Sequence, residues 1–172
     1  MYEKLLDEAK ENGLTVIEKY PFQSPRIRGL CCDDTIAISA QVDTEAERTV
    51  VLCEELTHAL YSYGDILNDS RMEHRTRQQI FDRLVGVPRL LDAALSGCKD
   101  MWEFAEYFGV PEDFFSAAMK NYRERYGTMT KLKTEKGEFI LSFEPTFRVR
   151  RLIPARNKAS AKKRILRKEN AV

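Results

Sequence analysis

The 172-residue sequence predicts an α+β domain: a small N-terminal antiparallel sheet packed on a mainly helical body, followed by a C-terminal β-hairpin and a basic tail. Three observations carry that expectation. Gly29-Leu30-Cys31-Cys32 and Thr35-Ile36-Ala37-Ile38-Ser39 flank Asp33-Asp34 as two strands flank a polar turn. Apolar residues at helical spacing fill most of 43–126, broken at Gly and Pro. Further on, Thr128–Leu132 and Phe139–Phe143 enclose Glu135-Lys136-Gly137 as a second hairpin would.

Taken in order, Leu5, Leu6 and Ala9 predict a helix over residues 2–12, stopped by Asn12-Gly13. Leu14–Ile17 reads as a short strand, and Pro21, Ser24 and Pro25 mark a loop before the hairpin. Asp43 or Thr44 caps a helix whose first turn holds Glu45 and Glu47, near the positive end of the dipole. That helix runs through Val50, Val51, Leu52, His58 and Leu60 to about Tyr63-Gly64. Further helices are expected over Met72–Leu84, Arg89–Ser96, Lys99–Phe108 and Pro111–Tyr126. The domain reading is 1–151 for the folded unit and 152–172 for a solvated, flexible tail.

A content of 43% hydrophobic and 32% charged residues suits a soluble globular protein. No apolar run reaches the roughly 20 residues that span a bilayer. The acidic, amphipathic N-terminus is no secretory signal, so a cytoplasmic location is expected. The net charge of +1 conceals an asymmetry: residues 148–172 hold ten Lys/Arg against one acidic group, a balance of +9. The other 147 residues carry −8. Cys31, Cys32, Cys53 and Cys98 show no CxxC spacing and read as small, buried apolar residues in a reducing compartment.

The chemistry concentrates in Glu54-Glu55-Leu56-Thr57-His58, which reads like the zinc-protease helix His-Glu-x-x-His with its first histidine replaced by glutamate. Residues four apart lie one turn apart on one helix face, so Glu54 and His58 can reach the same ion. Glu55 stands beside them, where the parent motif keeps its general base. A peptidase zinc site needs three protein ligands. Glu73 and His74 on the next helix are candidates for the third, and Asp65 and Asp69 in the intervening loop are further ligands or acceptors for the His58 ring. The plain alternative is a helix with solvated charges, with Glu73 pairing to Arg77 at i+4. Tyr61 and Tyr63 are close enough in sequence to donate to an oxyanion, although ring packing explains them as well.

The order of a Glu-Glu-x-x-His helix, Gly64-Asp65-Ile66, Met72-Glu73-His74-Arg75 and Phe104-Ala105-Glu106-Tyr107-Phe108-Gly109-Val110-Pro111 resembles the ImmA/IrrE family of metallopeptidases, especially members from prophages and integrative elements. The resemblance covers roughly residues 2–147. It implies a zincin-like body, Zn²⁺ held by Glu54, His58 and Glu73, and Glu55 as general base. It prefers Glu73 over His74 as third ligand. It also implies a protein substrate, a DNA-binding repressor cut to release gene expression. Two glutamates and a neutral histidine leave the Zn²⁺ shell formally neutral, where two histidines and one glutamate leave +1. The neutral centre is a weaker Lewis acid, and the added oxygen ligand makes Mn²⁺ or Mg²⁺ an alternative to zinc.

The competing class is a catalytically silent peptidase fold that binds a repressor or other regulator. A third reading, DNA recognition by a helix-turn-helix over 101–123, fails because the second helix opens Glu112-Asp113-Phe114-Phe115, acidic and then apolar. The basic tail matches phosphate electrostatically but interleaves no aromatic residue, so weak non-specific nucleic-acid contact is the most it predicts. No membrane partner is expected.

Overall fold

Helix α1 (Tyr2–Glu11) buries Tyr2, Leu5 and Ala9, one stripe at helical spacing, and turns the charged residues between them outward. Gly13, at a positive φ of 76°, lets the chain reverse into strand β1 (Thr15–Tyr20). The computed structural model describes residues 1–61, 70–144 and 146–153.

Strands β2 (Gly29–Cys32) and β3 (Thr35–Ser39) pair antiparallel around Asp33-Asp34, with Gly29 opposite Ile38 and Cys32 opposite Thr35. Asp33 supplies the left-handed turn residue, at φ 50°, a conformation that Asp tolerates better than most side chains. The sheet is not wholly antiparallel, as the sequence had suggested. Its order is β1-β3-β2, and β1 runs parallel to β3. The reason lies in residues 21–28, which carry the chain past the site of β3, so that β3 returns between its two predecessors.

Helix α2 (Glu45–Tyr61) opens with a reciprocal cap. Thr44 Oγ1 accepts the Glu47 N–H at 3.1 Å, and the Glu47 carboxylate accepts the Thr44 N–H at 3.2 Å. Val51, Leu52, Cys53 and Leu56 are buried, and α2 packs against α1, β2, β3 and helix α3 (Ser70–Leu84). Helix α4 (Val87–Leu95) carries Pro88 in its first turn, where the missing N–H costs nothing. Helices α5 (Met101–Phe108) and α6 (Glu112–Tyr126) meet around Gly109, whose φ of 65° forms the left-handed end of α5. Phe115 of α6 is fully buried and stacks on Phe104 and Phe108 at 5.5 and 5.8 Å.

The C-terminal element is larger than the expected hairpin. Strands β4 (Met129–Thr134) and β5 (Gly137–Ser142) form that hairpin, and β6 (Arg148–Arg151) adds a third antiparallel strand on β5. Phe139 and Leu141 point into the core, joined by Phe143 and Phe147. Cys53 is buried as expected, whereas Cys32 is exposed and Cys31 and Cys98 are intermediate; all are free thiols. Among the described residues, no helix is long and apolar enough to cross a membrane. The predicted tail lies outside them from residue 154 onward.

Candidate metal centre

Glu54, Glu55 and His58 lie in the second half of α2, each half-buried. The helix is held there from the opposite side. Thr57, fully buried, donates to the Cys53 carbonyl at 2.6 Å and accepts from Arg83 Nη1 at 3.0 Å. Arg83 reaches on to Glu8 of α1, so one guanidinium ties three helices together next to His58.

Glu55 faces β2. A Cβ built on Gly29 would stand 2.8 Å from Glu55 Oε1 and 2.6 Å from Val51 Cγ1, closer than real Cβ atoms come. Glycine at the head of β2 is therefore what lets α2 and its carboxylate approach the strand. Burial and the neighbouring Glu54 charge push the Glu55 carboxyl up to about 7, against the opposing pull of the Cys31 backbone N–H. Burial also raises Glu54, countered by the positive charges of Arg77 and Arg28. Arg28 is meanwhile bonded to Glu47 at 2.8 Å.

Glu54 and His58 stand one helical turn apart, as the motif requires. Glu73 lies in the first turn of α3, exposed, and His74 is exposed beside it with its Nε2 2.9 Å from Gln78 Nε2. Among the described residues, no three His, Cys, Asp or Glu side chains converge as a metal site. The other candidates, Asp65 and Asp69, lie outside the described residues, as does Tyr63. On the α2 side the donor chemistry fits a divalent cation in part, since Glu54 and His58 offer a carboxylate oxygen and an imidazole nitrogen one turn apart.

Gly29 and Cys31 join the site although no motif marks them. The one signal in the sequence is a glycine opening a predicted strand. Arg77 was expected only as a surface partner for Glu73, and it lies within electrostatic reach of Glu54 instead. Comparison with protein-family models, with curated proteins and with solved structures finds no match.

Proposed function

We propose that the chain is a metal-dependent endopeptidase, with Glu54 and His58 as two ligands of a zinc or manganese ion, Glu73 as the third, and Glu55 as general base. One observation carries the reading: the Glu55 carboxylate rests against Gly29 of β2, an edge strand in the order β1-β3-β2. An edge strand offers a row of backbone donors and acceptors with no partner in the sheet. A peptide added along it as a further strand lies with its carbonyls beside α2.

A bound divalent ion would supply Lewis acidity at the scissile carbonyl and lower the pKa of an attacking water. The chain's own residues do the rest. Glu55 would take a proton from that water and return it to the leaving amine. Gly29 keeps that carboxylate against the strand, and the Cys31 N–H steadies it. The substrate class implied by the sequence resemblance is a DNA-binding repressor of a phage or mobile element.

The test is elemental analysis of the purified chain beside His58→Ala and Glu55→Gln. One equivalent of zinc or manganese, lost in His58→Ala and kept in Glu55→Gln, supports the centre, and loss of cleavage in Glu55→Gln supports the base. No bound metal after supplementation with either ion would reject the peptidase and leave the binding-protein reading.

A further inference from the structure

The three strands of the C-terminal sheet sort their side chains by register. Phe139 and Leu141 of β5 are buried against the helices, so their neighbours Glu138, Ile140 and Ser142 face outward. Pairing then places Lys131 and Arg150 on either side of Ile140, and Met129 and Arg148 on either side of Ser142. Lys133 faces outward too, opposite Glu138. This outer face thus holds Lys131, Lys133, Arg148 and Arg150 against the single acidic Glu138, which pairs with Lys133 at 3.5 Å. Among the described residues, Lys131, Arg148 and Arg150 have no ion-pair partner.

The other cations nearby have structural work. Arg151 sits over the Phe139 ring at 5.8 Å and donates to the Lys136 carbonyl at 2.8 Å. Lys136 reaches Asp92 of α4, Arg123 reaches Glu144, and Arg125 reaches Asp82. Lys131, Arg148 and Arg150 hold nothing together, and gathering like charges on one sheet face costs stability. Arg148 and Arg150 stand about 7 Å apart along the strand, and Lys131 about 10 Å from Arg150 across two strand spacings. Beyond Ile153 the sequence adds seven more Lys/Arg and one acidic residue.

The geometry points to the outer face of β4–β5–β6 as a docking surface for the phosphate backbone of a nucleic-acid duplex. Cations spaced by the strands of one sheet complement a polyanion, and arginine's planar fork suits phosphate oxygens. No aromatic side chain stands on this face, so bases are not stacked and sequence is not read. The exposed apolar surface there, Met129 and part of Ile140 with Leu152 and Ile153 just past the end of β6, is scattered among the cations and too small to insert into a bilayer. This surface stands or falls apart from the peptidase reading.

The experiment is fluorescence polarisation of the full chain with a labelled 20-base-pair duplex of arbitrary sequence, across a salt series. The wild type is expected to bind with a negative slope of log affinity against log salt. Lys131→Ala/Arg150→Ala is expected to make that slope shallower by about 2 units, the loss of two phosphate contacts. Arg148→Ala/Arg150→Ala provides a second, independently folding check, with thermal unfolding measured for both. Neutralising Lys162, Lys163 and Arg164 is expected to weaken binding while leaving the difference between wild type and the sheet variants. Unchanged slopes in both sheet variants, or binding abolished by the tail changes alone, would overturn the assignment. So would absent duplex binding, including the case in which vesicles containing phosphatidylserine bind instead.

Discussion

Arg83 and Glu8 lie 75 positions apart, and Arg83 Nη2 donates to both Glu8 carboxylate oxygens at 2.6 and 2.8 Å while Nη1 donates to Thr57 Oγ1 at 3.0 Å. The pair is largely shielded from solvent, so its charge-assisted bonds are stronger than a surface bridge. Arg83→Met keeps most of the stem and removes every one of these bonds. It is expected to destabilise the chain by about 1–3 kcal/mol in urea unfolding. A change near zero would mean that the helices hold their places through apolar packing alone.

Tyr122 gives a case where redundancy sets the magnitude. Its buried hydroxyl donates to the Phe81 carbonyl at 2.9 Å and accepts the Gly86 N–H at 3.0 Å. Both backbone groups have a second partner, because Val85 N–H also reaches the Phe81 carbonyl and Gly86 N–H is shared with it at 3.2 Å. Tyr122→Phe should therefore cost about 1 kcal/mol, the low end for a buried hydrogen-bonding group. A loss of 3 kcal/mol or more by roughly the same scale would show that the backbone bonds do not compensate.

Gly29→Ala tests the closeness of strand and helix. Its Cβ meets Val51 and Glu55 below 3 Å, so α2 or β2 must shift. The expected cost is about 1–3 kcal/mol, typical of an overpacked site. Metal uptake should survive better than cleavage, since Glu55 is displaced more directly than His58. Equal stability and activity in wild type and variant would show that Gly29 is not required for the approach.

The pH dependence follows from Glu55. Its folded pKa of about 7 lies above that of a free carboxyl, so between about 4.5 and 7 the folded chain binds more protons than the unfolded chain. Stability in chelator-treated buffer should fall as pH rises through that window, by at most roughly 1.4 kcal/mol per unit. Glu55→Gln should flatten the fall, leaving the smaller slope that Glu54, shifted in the same direction, contributes. Parallel pH profiles for the two proteins would remove Glu55 as the cause.

Glu54→His restores the usual donor at the head of the motif. In the proposed three-ligand zinc centre it would raise the formal charge from zero to +1 and exchange an oxygen for an imidazole ligand. Zinc affinity relative to manganese should rise, as read by competition between the two ions. An unchanged ratio would place Glu54 outside the metal shell.

The helices were legible because their signals are local: the Thr44/Glu47 cap, Pro88 at the start of α4 and Gly109 at the end of α5 each act within a few residues. The two hairpins were legible for the same reason. The parallel pairing of β1 with β3 was not, because the sequence of β1 is the same whichever neighbour it takes. Strand β6 bears no local mark, because Arg148-Val149-Arg150-Arg151 has one apolar residue and its place comes from backbone pairing to β5 and from Val149 opposite Leu141. The placing of Glu54, Glu55 and His58 on one helix, with Glu54 and His58 a turn apart, was readable from their spacing. The closeness of Gly29 to Glu55 joins residues 26 positions apart and leaves no local mark.

The placement of β3 between β1 and β2 also sorts the contacts by the length of chain each one closes. The β2–β3 hairpin closes over Asp33-Asp34 alone, an event of about 1–10 μs for hairpins in general. Its central strand meets β1 across residues 21–28, and the Arg83–Glu8 clasp closes a loop of far greater length. Contacts of such separation slow the search for the native state. The contact between Gly29 and Glu55 thus joins a strand paired through a local turn to a helix placed by long-range contacts, so its strand side rests on short loops and its helix side on long ones.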